Sequence, residues 1–352
     1  MGSSVSRVRP AKSAGQMHSD ALDSIIVQDQ ARLKQVRRIL VLGTSGSGKS
    51  TLMKHMRIHD GTEFKETDVT LYRSIICRNV IEWAHSILLL AKKDALVFEK
   101  GYHRELADKV LDFTLGNDDE REIYLPNDIA EAIHQLWNDP MTANSLKEHA
   151  KELNLELPTY FFDNIRRIGG PTYRPNRSDI LKTPETARKP GLREMKINMG
   201  TLTIHLLDPS GQRSERRKWI HYFEFVTSII FCAPVADYDQ ARMTESFNLF
   251  ESVINSRWFL RTSIILLLTK MDEFKQKLPK IPLEKSFPEY TGGADVNKAA
   301  KYILWKYMQL NRARLSVYPH IVNVCDTNVS CLVLAAVKET TLQNWLKDSG
   351  RL

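Results

Sequence analysis

The segment that most constrains this chain is a glycine-rich loop between an apolar run at 39–42 and a helical pattern that begins at Thr51. It fills every fixed position of the pattern G-x-x-x-x-G-K-[ST], and the apolar run and helical pattern argue against a chance match in a flexible Gly/Ser-rich loop. Glycines let successive backbone N–H groups turn inward around phosphates, the lysine adds charge beside the β and γ phosphates, and the last serine binds Mg²⁺. The N-terminus of the following helix favours anions. The loop predicts a nucleoside triphosphate site at Gly43, Thr44, Ser45, Gly46, Ser47, Gly48, Lys49, Ser50 and Thr51.

Helical and strand patterns divide the remainder of the chain. From residue 66 to 177 the apolar spacing is helical, with one long helix followed by shorter patterns at 104–113, 127–138, 145–153 and 159–168. Strand patterns return at 195–199, 202–207, 228–235, 264–268 and 321–324. Because 228–235 and 264–268 are almost continuously apolar, we expect strands buried on both faces, as in a mostly parallel sheet. The sequence predicts an α/β nucleotide-binding domain at 37–63 and 178–352, interrupted by an all-α domain at 64–177.

The N-terminal segment has a membrane-binding pattern. Gly2 fits the myristoylation pattern M-G-x-x-x-[ST], and Arg7, Arg9 and Lys12 follow it. One myristoyl chain binds membranes only marginally, so an anionic membrane surface or a partner must supply the second signal. Apolar residues at helical spacing across 19–38 predict an exposed amphipathic helix, and residues 1–36 are assigned to this lipidated segment.

Charge and composition exclude several classes of protein. The net charge is +8, but basic residues are scattered among acidic ones without zinc-ligand spacing or a long basic block, so no nucleic-acid partner is expected. No apolar run has the length that a membrane span requires. Four cysteines without a C-x-x-C pair are typical of a reducing, cytosolic compartment.

Two further motifs follow strand patterns and complete the predicted site. Asp208 ends the pattern at 202–207, where ligands of open α/β sheets bind, and is predicted to hold Mg²⁺ through water. The alternative is an aspartate that only opens a Pro-Ser-Gly turn. Thr269, Lys270 and Asp272 form T-K-x-D, a variant of N-K-x-D, in which the carboxylate accepts from the ring N1–H and exocyclic amine of guanine. Adenine cannot offer that pairing, so the motif predicts GTP rather than ATP.

Together with the run 212–221 and the C-terminal segment 346–350, these motifs make the chain resemble an alpha subunit of a heterotrimeric G protein over its whole length. The resemblance implies an α/β P-loop GTPase domain with a mostly parallel sheet and an inserted all-α helical domain. It also implies GTP or GDP and Mg²⁺ as cofactors. Gln212 would orient the attacking water, Gly211 would offer its N–H to the γ-phosphate, and Val324 would offer its N–H to the guanine oxygen.

The same resemblance implies a set of partners and a location. Residues 211–223 would rearrange when the γ-phosphate leaves, and this face with the N-terminal helix would bind a beta-gamma dimer. The final helix, 328–352, would dock into a seven-helix receptor, and the triphosphate form would act on a downstream effector. The protein would lie peripherally on the cytoplasmic face of the plasma membrane.

The chain departs from the family where the transition state is stabilised. Ser45 and Gly46 replace the usual second glycine and the glutamate of the phosphate loop. The family's switch arginine aligns with Pro184 or with Thr186, and its Mg²⁺-binding threonine aligns with Ala187 or Lys189. The remaining candidates are Thr186 as the metal ligand and Arg188 as a catalytic residue, in addition to Lys49 and Gln212.

An arginine of this kind contributes about 10³–10⁵ in rate, so its absence predicts slow hydrolysis. Two hypotheses remain open: a slow GTPase that switches conformation, and a guanine nucleotide-binding module that has lost catalysis. A third, an ATP-dependent P-loop enzyme, conflicts with T-K-x-D.

Overall fold

The computed structural model describes residues 36–59, 66–92, 101–115, 123–152, 157–184, 192–199, 202–209, 213–223, 226–260, 262–322 and 329–348. Within these residues, six strands form one sheet in the order β2-β3-β1-β4-β5-β6. They are β1 (Val36–Leu42), β2 (Leu192–Met199), β3 (Leu202–Pro209), β4 (Val226–Pro234), β5 (Ser263–Thr269) and β6 (Val317–Ile321). Strands β2 and β3 are antiparallel, and the other neighbours are parallel. The predicted α/β class and mostly parallel sheet are therefore confirmed.

Helices occur in two groups within the described residues. One follows the phosphate loop and the later strands: α1 (Lys49–His59), α9 (Ala241–Ile254), α10 (Met271–Lys277), α11 (Val296–Gln309) and α12 (Val329–Asp348). The other lies between α1 and β2 in sequence: α2 (Glu66–Ala91), α3 (Gly101–Asp112), α4 (Asn127–Asn138), α5 (Ala143–Glu152), α6 (Leu157–Asp163), α7 (Ile165–Ile168) and α8 (Arg177–Lys182). Short 3-10 helices lie at Arg213–Tyr222, Val235–Asp237, Arg257–Phe259 and Leu283–Lys285.

The central strands are apolar throughout because both faces of the sheet are covered. Alternate residues of β1 enter different clusters, Leu40 and Leu42 on one face and Ile39 and Val41 on the other. The face of Leu40 packs with side chains of α9 and α11, and the opposite face packs with side chains of α1 and α12. This arrangement explains why β4 and β5 lack the alternating polar residues of a half-exposed strand.

Helices α2 to α7 enclose a cluster of their own, built around side chains such as Trp137, Phe161 and Phe162. The indole Nε1 of Trp137 donates a 2.9 Å hydrogen bond to Asp163. Within the described residues, one helical stretch, Asp68–Ala91, is long and apolar enough to span a membrane, and half of it is buried inside the protein. Its buried apolar residues from Ile76 onward belong to this cluster, which is the position of a core helix.

Three element predictions are wrong at their boundaries. Val36, Arg37 and Arg38 were expected in an amphipathic helix but form the start of β1, because they pair with Thr203 to His205 of β3. The strand expected at 321–324 lies at Val317–Ile321, because its pairing partner is Ile264–Leu268 of β5. The helix expected at 159–168 is interrupted at Asn164 and divides into α6 and α7.

Candidate nucleotide-binding site

The phosphate loop joins the carboxyl end of β1 to the first residue of α1. Gly43, Gly46 and Gly48 have φ angles of +146°, +73° and +92°. L-residues rarely adopt such angles. A Cβ atom on Gly43 would lie 2.6 Å from the backbone oxygen of Cys232 in β4. The sheet and the loop therefore require glycine at this position, and the positive φ angles give the loop the curvature on which the predicted phosphate site depends.

Lys49 lies inside this curve. Its side chain is 2% exposed. The ammonium Nζ donates to the carbonyl oxygens of Gly43 at 2.8 Å and Thr44 at 2.6 Å. The positive charge of Lys49 is thus held against the loop, at the N-terminus of α1 where anions are favoured. Thr51, in the first turn of α1, is half-buried.

The T-K-x-D motif lies beside the loop at the carboxyl end of β5. The fully buried hydroxyl of Thr269 donates a 2.9 Å hydrogen bond to the carbonyl oxygen of Ser47. Lys270 has a left-handed backbone, with φ of 60°, and its Nζ lies 3.3 Å from the Asp237 carboxylate. Asp272 lies half-buried in the first turn of α10. The structure therefore brings together two motifs that the sequence analysis identified separately.

Asp208 ends β3 at the same edge of the sheet and is 2% exposed. Burial raises the pKa of the nearby Cys232 thiol to about 12, the charge of Lys49 opposes this rise, and the charge of Asp208 adds to it. The charges of Lys49 and Asp208 therefore both act on the Cys232 thiol, which stays protonated at neutral pH.

The oxygen donors at this edge fit Mg²⁺. Ser50, half-buried in the first turn of α1, contributes a hydroxyl, and Asp208 contributes a carboxylate. Mg²⁺ prefers oxygen ligands and usually keeps several waters beside one or two protein groups and substrate phosphates. No group of three or more His, Cys, Asp or Glu converges in the part of the chain that the structure describes.

A second set of contacts ties α1 to α8, which leads into the predicted first switch. Lys54 donates to the carbonyl oxygens of Ile180 at 3.0 Å and Thr183 at 2.7 Å. Within α8, the buried Asp179 accepts two hydrogen bonds from Arg167, at 2.8 and 2.7 Å. Burial raises the pKa of Asp179, but the hydrogen bonds from Arg167 and from the Asn176 N–H outweigh it, so that this pKa lies below its usual value.

A groove of about 520 Å³ lies between the 3-10 helix Arg213–Tyr222 and α9. Arg216 from the 3-10 helix and Glu245 from α9 line it and form a 2.5 Å hydrogen bond. The buried ring of Trp219 forms part of its wall. The groove is separate from the phosphate loop in its lining residues, and part of its lining belongs to the segment expected to rearrange.

Six predicted site residues lie outside the described residues and remain predictions: Gly2, Thr186, Arg188, Gly211, Gln212 and Val324. Two residues near the site were not predicted. Asp237, buried in the short 3-10 helix after β4, holds Lys270, and Nη1 of Arg242, in α9, lies 3.9 Å from a Cβ position on Gly46. No motif marks either residue, because each reaches the site through the packing of separate elements.

The chain matches known proteins over most of its length. The family model for the G-protein alpha subunit matches residues 16–341. The chain is 47% identical to a guanine nucleotide-binding protein subunit alpha of Cryptococcus neoformans over 95% of this chain and 78% of that protein. It is 46% identical to the guanine nucleotide-binding protein alpha-3 subunit of Ustilago hordei, over 95% of this chain and 96% of that protein. It is 40% identical to the guanine nucleotide-binding protein alpha-2 subunit of Saccharomyces cerevisiae, over 90% of this chain and 72% of that protein. The chain belongs to the G-protein alpha subunit family.

Proposed function

We propose that this chain is a guanine nucleotide-binding alpha subunit of a heterotrimeric G protein, which alternates between GDP and GTP and hydrolyses GTP slowly. The observation that carries the proposal is the Thr269–Ser47 hydrogen bond, which fixes the phosphate loop beside T-K-x-D. A phosphate cradle and a guanine-reading carboxylate thereby share one edge of the sheet. The family match supports the same activity and the same cofactors, GTP or GDP and Mg²⁺.

Binding follows from the geometry of the loop. The backbone N–H groups of the loop and the ammonium of Lys49 meet the β and γ phosphates, and Asp272 accepts from N1–H and the exocyclic amine of guanine. Ser50, and Asp208 through water, would hold Mg²⁺, which would supply positive charge beside the phosphates. Lys270, fixed by Asp237, borders the base-reading end of the site.

In hydrolysis, a water oxygen bonds to the γ-phosphorus while the bond from that phosphorus to the β–γ bridging oxygen breaks. The electron pair of the broken bond stays on the β-phosphate, and the proton of the water ends on phosphate. We assign the orientation of the water to Gln212. The role of the protein is mainly to position the reactants and to stabilise the transferred charge.

We also propose that the chain divides into two domains. Residues 37–63 and 178–352 form the GTPase domain, and residues 64–177 form an inserted helical domain. The separate cluster of α2 to α7 supports this division. Residues 1–36, with Gly2 myristoylated, would place the protein peripherally on an anionic membrane at the cytoplasmic face of the plasma membrane. Of residues 1–36, Val36 does not belong to this membrane-binding segment, since it pairs with β3 in the sheet.

Partners follow from the family in general terms. Alpha subunits act with a beta-gamma dimer, a seven-helix receptor and an effector, and we propose the same three for this chain. The groove beside Trp219 supports a partner at the rearranging face, and α12 belongs to the C-terminal segment that we propose binds the receptor. No nucleic-acid partner is proposed.

The test is nucleotide binding followed by single-turnover hydrolysis. Fluorescent GDP should bind, GTP should displace it far better than ATP, and Asp272→Asn should weaken guanine binding by at least about tenfold, because a carboxylate contact is lost. Phosphate release in Mg²⁺ should be slow and should fall with Gln212→Leu. Equal competition by ATP would overturn guanine recognition. Binding without hydrolysis would favour the second candidate, a binding module without catalysis.

A further inference from the structure

The side chain of Arg242 approaches Gly46, an exposed residue of the phosphate loop. A Cβ atom built on Gly46 lies 3.9 Å from Nη1 of Arg242, and no other described atom outside the adjacent residues lies within 4 Å. Gly46 is the position where the family's loop usually carries glutamate. The side chain that would stand between the arginine and the loop is therefore absent in this chain.

The position of Arg242 in its helix also favours an anion nearby. It is the second residue of α9, whose first turn has no acidic residue. A positive charge at a helix N-terminus is unfavourable beside the positive end of the helix dipole, unless an anion compensates for it. The N-terminus of α1 and the ammonium of Lys49 add to the positive potential around the loop.

The neighbouring carboxylates are engaged elsewhere. Asp237 holds Lys270, and Asp239 holds Lys277. In the part of the chain that the structure describes, no ion pair joins Arg242 to a carboxylate. The guanidinium is exposed, so a bound phosphate chain can take the place of water around it.

We propose that Arg242 donates to the β–γ bridging oxygen or a γ-phosphate oxygen of bound GTP and stabilises the charge that develops there. The inference rests on the proposed function, since it needs GTP in the loop. The N–H groups of a loop with this pattern face those oxygens, and Gly46 is one of its residues. A guanidinium next to Gly46 has the reach and the forked geometry to bind phosphate.

The chemical step is that of the proposed hydrolysis. Water forms its bond to the γ-phosphorus as the bond to the bridging oxygen breaks, and the electron pair stays on the β-phosphate. Negative charge accumulates on the bridging oxygen during this step, so a positive group there lowers the barrier. Arg242 would thus supply, from α9, the positive charge that the family's switch arginine supplies from the position aligned with Pro184 or Thr186.

The test compares arginine variants by binding and by chemistry. Arg242→Ala should lower the rate of single-turnover GTP hydrolysis by at least about tenfold. Other GTPases also hydrolyse GTP more slowly when they lack their catalytic arginine. The affinities of Arg242→Ala for fluorescent GDP and a non-hydrolysable GTP analogue should stay within a few-fold of wild type. Arg242→Lys, which keeps the charge but not the fork, should be intermediate. Arg257→Ala, an exposed arginine beyond the other end of α9, is the matched control and should hydrolyse as wild type does.

Arg188→Ala separates the two candidate arginines. If Arg188→Ala abolishes hydrolysis while Arg242→Ala hydrolyses normally, the inference is overturned. It is also overturned if Arg242→Ala weakens GDP and GTP binding equally without changing the rate, or if wild type binds guanine nucleotide and never hydrolyses it. Failure of wild type to bind guanine nucleotide would instead remove the proposed function, and this inference with it.

Discussion

The hydroxyl of Thr269 donates a 2.9 Å hydrogen bond to the backbone oxygen of Ser47, which joins two segments that lie 222 positions apart. Both residues are fully buried. One segment is predicted to bind phosphate and the other leads into the guanine-reading motif, so the bond sets the distance between the two ends of the nucleotide site.

Thr269→Val should weaken nucleotide binding through the loop. Valine keeps the shape of threonine but leaves the Ser47 oxygen unsatisfied, at a cost of roughly 1–3 kcal/mol. We expect GDP affinity to fall by about three- to tenfold, since the loop loses part of its preorganisation. Thr262→Val, at the amino end of the same strand, removes a longer 3.4 Å hydrogen bond and should leave affinity unchanged. Equal loss in both variants, measured by fluorescent GDP titration, would show that general stability is responsible.

Local motifs made the phosphate loop and Asp208 predictable, because glycine spacing and the last residue of a buried strand are visible in the sequence. The pairing of strands that lie far apart in the sequence could not be predicted in this way. Val36 was assigned to a helix by its apolar spacing, and only Thr203, its partner in β3, shows that it is a strand residue.

The same limit explains β6 and Arg242. Strand β6 contains Pro319 and is only partly buried, as an edge strand allows, so its pattern was weaker than that of the apolar residues after it. The approach of Arg242 to Gly46 depends on how α9 packs against the sheet, which no local pattern records.

Gly43→Ala should strongly weaken nucleotide binding while the protein stays folded. The new Cβ would lie 2.6 Å from the Cys232 backbone oxygen, and at a φ of +146° it would strain the loop. Since β4 cannot move without disrupting the core, the loop must move, and we expect at least about a hundredfold loss of GDP affinity, or roughly 2.7 kcal/mol.

The control for Gly43→Ala is Gly293→Ala. That glycine also has positive φ, at +62°, but nothing lies within 4 Å of its Cβ position. It should cost roughly 1–2 kcal/mol of unfolding free energy, measured in urea, and leave GDP affinity unchanged. Wild-type affinity in Gly43→Ala would contradict the predicted role of the close approach to β4.

Asp179→Asn should destabilise the protein and reduce its sensitivity to acid. The folded pKa of Asp179 lies below its usual value, so its contribution is fully present above the unfolded pKa of about 3.9. That contribution is lost as pH falls through the folded value. Removing the buried carboxylate from Arg167 should cost roughly 3 kcal/mol at pH 7.

Urea unfolding between pH 3 and 7 tests this prediction. The difference between wild type and Asp179→Asn should shrink as the pH falls. Asp128→Asn is the control, because Asp128 pairs with Lys109 on the exposed surface and should change stability much less. A constant difference across the pH range would assign the loss to packing rather than to charge.

Lys54→Met should speed the release of GDP. Lys54 is 5% exposed and holds the carbonyl oxygens of Ile180 and Thr183, so it connects the helix that follows the phosphate loop to the segment that enters the first switch. Methionine fills the space but leaves both oxygens unsatisfied, which should cost roughly 2–4 kcal/mol.

Because α8 then loses its attachment to α1, the predicted first switch that follows α8 should cover the nucleotide less tightly. We therefore expect GDP to dissociate at least about threefold faster. The measurement is the decay of fluorescent GDP signal after excess GDP is added, beside urea unfolding of the same variant. Lys92→Met is the matched control, since Lys92 pairs with Asp108 at an exposed end of α2 and should release GDP at the wild-type rate. If Lys54→Met loses stability but keeps the wild-type rate of release, the bonds to Ile180 and Thr183 support the fold without controlling the exit of the nucleotide.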